Sequence, residues 1–164
     1  MNLFRKLTNV IVEKSLNIGK RASLTTEFGG FVALRGAPNF QYQSSPVAMT
    51  TTATVTTAAM LGGLITANQG AAGAATYTLP TGTVFDTAAT AALKRKVKVN
   101  DAFTFSIVNI STNGAEDVTV AGDTGMTAVG NMTIASNAAV GDQAWGTFLV
   151  RKTAENAYSV YRIG

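Results

Sequence analysis

Seven carboxylates, Asp86, Asp101, Glu116, Asp117, Asp123, Asp142 and Glu155, are the only acids after residue 45 of this chain, and most of them stand beside Gly or Asn in turn-like contexts. Two carboxylates can run hydrolysis as acid and base or as acid and nucleophile. Enzymes that cleave polysaccharides surround such a pair with aromatic rings, however, and this chain has one tryptophan. In turn-like contexts a short acidic side chain holds its own backbone instead. The run A-E-D-V-T-V-A-G-D-T-G over 115–125 offers loop oxygens to calcium, but it lacks the D-x-[DN]-x-[DN]-G spacing and a bidentate Glu at the twelfth position. Cysteine and histidine are absent, which removes disulfides, thiolate or imidazole metal sites, cysteine nucleophiles and every triad with a histidine base. The Gly29–Gly30 pair has neither G-x-G-x-x-G nor G-K-[ST] around it, so it is not read as a phosphate loop. The residue inventory predicts no enzymatic activity, no cofactor and no metal.

Basic residues are unevenly placed. Arg5, Lys6, Lys14, Lys20, Arg21 and Arg35 face only Glu13 and Glu27 in the first 45 residues, which accounts for the whole net charge of +4. The remainder is neutral, and such asymmetry predicts that the N-terminal segment meets an acidic surface. Lys94, Arg95 and Lys96 form the one basic cluster of the neutral part. With no flanking aromatics they read as residues at the negative end of a helix dipole, not as a nucleic-acid patch. No stretch approaches the roughly 20 apolar residues that span a bilayer, and the opening M-N-L-F-R-K-L-T-N-V-I-V-E-K is not patterned as a secretory signal. Neither nucleic acid nor membrane is an expected partner.

The elements that must position these residues are mostly strands. In V-K-V-N-D-A-F-T-F-S-I-V-N-I, residues 97–110, period two puts Val97, Val99, Phe103, Phe105 and Ile107 on one side and Lys98, Asn100, Thr104 and Ser106 on the other. Asp101 divides a lead-in from a main strand over 102–108, whose phenylalanines need a second sheet or a partner to cover them. The clearest alternation is at 47–56, with Thr50, Thr52, Thr54 and Thr56 opposite Val47, Met49, Ala53 and Val55. Residues 58–65 allow a helical turn, T-Y-T-L-P a short strand with Tyr77 and Leu79 inward, and 83–96 a helix with Phe85, Ala88 or Ala89, Ala92 and Leu93 on one face, capped by Thr83 or Asp86. D-V-T-V-A, G-N-M-T-I-A-S-N and a closing hairpin over 145–163 complete a set of short strands that suits a sandwich or barrel. A-W-G-T-F-L-V is apolar on both sides, with Trp145 and Leu149 opposite Phe148 and Val150. That predicts self-association through Trp145, Phe148 and Val150, most simply as a trimer.

The first 45 residues form a separate division ahead of the body at 46–164, with Ser44, Ser45 and Pro46 at the boundary. Leu3, Phe4, Leu7, Val10, Ile11 and Lys14 keep helical spacing, although the β-branched 10–12 also suit a strand. Phe28, Phe31, Leu34, Phe40 and Tyr42 then recur between glycines. A plain linker lacks such aromatics, so this is read as an extended arm of isolated anchors that enter pockets on something else or on the body.

The segments A-A-T-Y-T-L-P-T-G at 74–82, N-D-A-F-T-F-S-I-V-N-I-S at 100–111 and G-T-F-L-V-R-K-T-A-E-N-A-Y-S-V-Y-R-I at 146–163 resemble a β-rich module of small virion proteins of tailed bacteriophages, the head decoration or cement proteins. Related modules occur in fibres. The resemblance covers roughly 47–164 and implies a jelly-roll-like β-sandwich, trimeric assembly and no enzymatic activity. Taken together, the expectation is an all-β protein: a jelly-roll-like β-sandwich body with one short helix and an extended N-terminal arm. It would be a structural virion protein on the outer capsid surface, a homotrimer docked on the major capsid protein through Arg5, Lys6, Lys14, Lys20, Arg21, Phe28, Phe31, Arg35, Phe40 and Tyr42. The alternative is a fibre or receptor-binding module that recognises host-surface sugar.

Overall fold

The two best alternating runs, 47–56 and 102–109, fold in different ways. In the computed structural model, which describes residues 43–70, 72–138 and 143–164, the first run is split. β1 (Val47–Met49) and β2 (Ala53–Thr54) lie in different sheets. Thr50, Thr51 and Thr52 are exposed at the bend, where Thr52 Oγ1 accepts a hydrogen bond from the Thr76 backbone N–H at 3.1 Å. A run of threonines has nothing to bury and tolerates this crossing, whereas the apolar residues that flank it, Met49 and Val55, pack on the core. The expected single strand is therefore two.

The second run is β5 (Ala102–Asn109), with Phe105 and Ile107 buried. Its lead-in is a turn: Asn100 has φ 74°, the Asp101 N–H donates to Lys98 O, and Asp101 Oδ2 accepts from the Lys98 N–H. Val97 is buried, but Val99, expected on the same side, is 53% exposed, because the strand period does not continue through the turn.

Around β5 the chain adds β3 (Leu64–Ala67), β4 (Ala75–Thr78), β6 (Val118–Ala121), β7 (Met126–Val129), β8 (Thr133–Ile134), β9 (Trp145–Ala154) and β10 (Ala157–Arg162). Six strands pair in the order β1-β3-β5-β9-β10-β7 and four in the order β2-β4-β6-β8. From β1 to β9, successive strands alternate between the two sheets. β1, β3 and β5 run parallel, as do β2, β4 and β6, whereas β8 pairs antiparallel with β6. β9 pairs antiparallel with both β5 and β10, and β7 runs parallel to β10. The protein is thus mostly β with mixed sheets, while a jelly roll is an antiparallel architecture. The closing hairpin forms as expected; β7, four residues long, is too short for its alternation to register in the sequence.

Among the described residues there are two helices, the first where the sequence allows a helical turn at 58–65 and the second in place of the one short helix expected. α1 (Thr57–Leu61) starts on Thr56, whose Oγ1 accepts from the Ala59 N–H at 3.1 Å. α2 (Gly82–Leu93) is capped by Thr81 rather than Thr83 or Asp86, and it ends where Lys94 turns left-handed at φ 56°. None of these described helices is long and apolar enough to cross a membrane. Both helices and both sheets contribute to one buried cluster. In it Phe105 stacks between Phe103 and Phe148 at 6.4 and 5.2 Å, and Phe85 of α2 stacks on Phe103 at 5.0 Å. The phenylalanines of β5 are therefore covered within the chain.

Candidate interaction surface

Two of the described acids, Asp86 and Glu116, are buried inside the fold. On the inner side of the six-stranded sheet, Lys152 of β9 stands directly opposite Tyr158 of β10, and Asp86 of α2 meets both. Lys152 Nζ and the Tyr158 hydroxyl each donate to Asp86 Oδ1, and Nζ also donates to Val97 O at 3.1 Å. The ammonium lies 5.7 Å from the centre of the Tyr158 ring. All three side chains are buried. Burial alone raises the Asp86 carboxyl, but the hydrogen bonds from Lys152 and Tyr158, with the Lys152 charge, bring it below its ordinary value. Burial first, and then the Asp86 carboxylate, push the Tyr158 phenol up.

A second buried network joins the sheets. Glu116 accepts from the Gln69 N–H at 3.1 Å and from Asn113 Nδ2 at 3.2 Å, and its own carbonyl accepts from Asn109 Nδ2 at 2.7 Å. Tyr77 bridges Gln69 Nε2 and Met49 O at 2.7 and 2.9 Å. Its hydroxyl ties β4 of the small sheet to β1 of the large one. Tyr77→Phe leaves the carbonyl and the amide short of one partner each, and should cost about 1–3 kcal/mol in urea unfolding. A loss below about 0.5 kcal/mol would mean that the hydroxyl is dispensable.

The remaining described carboxylates hold turns and surface pairs, and Asp142 lies outside the described residues. Asp101 binds Arg95 at 2.5 Å, and that hydrogen bond, together with the one from the Lys98 N–H, lowers its carboxyl below the usual value. Asp117 accepts from the Ser136 N–H at one end of β6, and Asp123 from the Thr124 N–H beyond the other, so the calcium alternative has its oxygens on separate tasks. Lys96 pairs with Glu155 at 3.6 Å. Of the basic cluster, only Lys94 stays at the helix end, as its C-cap. Among the described residues, no three acids group closely enough to hold a metal ion. A cavity of about 310 Å³ lies beside the C-terminal half of α2, between Leu61, Phe85, Leu93, Val97 and Phe103, with the Arg95–Asp101 pair on its wall.

The outer side of the six-stranded sheet is different in kind. Strand parity turns Thr66, Val108 and Trp145 outward in one row across β3, β5 and β9, and Leu64, Ser106 and Thr147 in the next. A third row, Thr104, Leu149, Tyr161 and Val129, crosses β5, β9, β10 and β7. None of these residues is fully buried, and Trp145 is 53% exposed. The Ser106 and Thr147 hydroxyls bond each other at 3.0 Å. Among the described residues, the one charged side chain whose parity points it out of this face is Arg151, in the last row, bonded to Asn100. Beside Trp145, Gly164 lies so close that a Cβ there would come within 2.8 Å of the ring.

Of the residues singled out from sequence, Trp145 is on this face. Phe148 and Val150 are not available for self-association: at 0% and 1% exposure they lie in the chain's own core, because β9 turns its even-numbered side inward. An acid at 148 would therefore act on folding. Arg5, Lys6, Lys14, Lys20, Arg21, Phe28, Phe31, Arg35, Phe40 and Tyr42 lie outside the described residues. Sequence reasoning missed Asp86 and Lys152 as partners, although β9 parity places Lys152 with Phe148 and Val150, and helical spacing places Asp86 with Phe85 and Ala89. It also missed Val108, Tyr161 and Val129 on the outer face. Tyr161 was legible as the cross-strand partner of Leu149 once the hairpin register was known.

Comparison with protein-family models, with curated proteins and with solved structures finds no match for this chain.

Proposed function

We propose that the protein is a structural component of a virion, a decoration protein whose body sits as a trimer on the outer capsid surface while the basic, aromatic first 45 residues grip the major capsid protein. Its two sheets around one core are read as a β-sandwich body, with the jelly roll kept only as the nearest familiar outline. One observation carries this reading: the described carboxylates are bonded within the chain or paired at its surface, while a wide sheet face with a single charged side chain is left uncovered by the other described residues. Such a body is suited to be packed against. Stability would be conferred on the shell by many weak anchors acting together.

The exposed Trp145 favours a second reading, a fibre module that stacks a sugar on the indole. Sedimentation of the full chain with capsids that lack it separates the two. Stoichiometric binding is expected, reduced at least about 10-fold when Phe28, Phe31 and Phe40 are changed together to Ala. No binding to capsids, combined with Trp145-dependent binding to host polysaccharide, would replace the decoration reading with the fibre one.

A further inference from the structure

We propose that the outer face of the six-stranded sheet is the contact between copies of this chain. This rests on the decoration reading only for the trimer, not for the face itself. The face is about 25 Å across its strands and about 25 Å along β5, on the order of 600 Å² when taken as flat. That approaches the roughly 800 Å² per partner of a standard specific interface.

Its chemistry selects a second copy over a foreign partner. Contacts between copies of one chain are more apolar than non-obligate contacts between unlike partners, and among the described residues the only charged side chain that parity turns out of this face, Arg151, is at the margin and already bonded to Asn100. The apolar side chains instead flank the Ser106–Thr147 hydroxyl pair, Val108 and Trp145 on one side and Leu149, Tyr161 and Val129 on the other, with Leu64 at the β3 end of the pair's own row. One group of one copy can cover the other group of the next, with the hydroxyl pair between them already satisfied. Burying Trp145 and Tyr161 supplies the anchors, since large aromatics carry most of the binding energy of such contacts.

The test is light scattering of the full chain at micromolar concentration, together with Trp145→Lys, Leu149→Lys and, on the outer side of the small sheet, Thr119→Lys. All four proteins should keep the same circular dichroism and cooperative unfolding, because the substituted side chains point away from the core. The unsubstituted chain should be an oligomer, and so should Thr119→Lys. Trp145→Lys and Leu149→Lys should weaken association by at least about 30-fold. A monomeric unsubstituted chain overturns the proposal, as does an oligomer that persists in both face variants. A dimer lost in both variants upholds the face and removes the trimer from the decoration reading. An oligomer of this kind that ignores capsids removes that reading and leaves the face intact.

Discussion

Lys152→Ala should destabilise the body by about 3–5 kcal/mol, enough to lower its melting temperature by on the order of 10 °C. The substitution leaves the Asp86 carboxylate at 8% exposure with only the Tyr158 hydroxyl to satisfy it, and an uncompensated charge in a low-dielectric interior is among the costliest of single changes. The paired change Asp86→Leu with Lys152→Met removes both charges while keeping the volume filled. It should recover most of the loss, because desolvating the ion pair already cancels much of its attraction. Urea unfolding of the two variants separates charge from packing: if the double variant is as unstable as the single, lost packing rather than the stranded charge causes the damage. The same carboxylate sets an acid limit. Its folded value lies below its ordinary one, so its contribution is complete above about pH 4 and is lost as pH falls through the folded value.

Gly82→Ala should be nearly as damaging, at about 3 kcal/mol or more. An ideal Cβ at 82 would lie 1.9 Å from Asn156 O and 2.9 Å from Gly125 O, both backbone atoms that cannot rotate aside. The start of α2 is pressed against the β9–β10 turn and the approach to β7, and the Gly82 N–H donates to Thr124 O there. Gly130→Ala is the control. It has φ 92° but nothing within 4 Å, so only backbone strain of about 1–2 kcal/mol applies. Equal losses in the two variants would show that the helix start is not wedged against the turn.

Both positions show why part of the site was hidden from sequence reading. A glycine after L-P-T reads as punctuation, and nothing local says that a turn more than 70 residues away will fill the space its side chain would need. Lys152 followed an apolar strand and Asp86 stood in a helix, each ordinary where it was; they meet across a separation of 66 residues. The Thr face at 47–56 misled for the opposite reason. Its alternation is real, but a strand also needs continuous neighbours on one sheet, and the chain leaves for the other sheet at Thr50–Thr52.

What the sequence by itself determined depends on side-chain parity and nearby turns: β5 with Phe105 and Ile107 inward, Tyr77 and Leu79 buried, the Phe85 side of α2 packed, although Ala92 and Leu93, expected on the same face, are exposed, and the β9–β10 hairpin. These follow from alternation within a few residues and from the burial of apolar surface, which favours one face regardless of what covers it. Only the tertiary structure decided which sheet each strand joins, that β1, β3 and β5 run parallel, that α2 and the small sheet cover the phenylalanines, and that Phe148 faces inward while Trp145 faces out. β9 is apolar on both sides, so its pattern leaves its orientation undecided. The choice is made by partners distant in sequence, Phe105 across the sheet and Asp86 from the helix, whose packing and charge can be satisfied on one side alone.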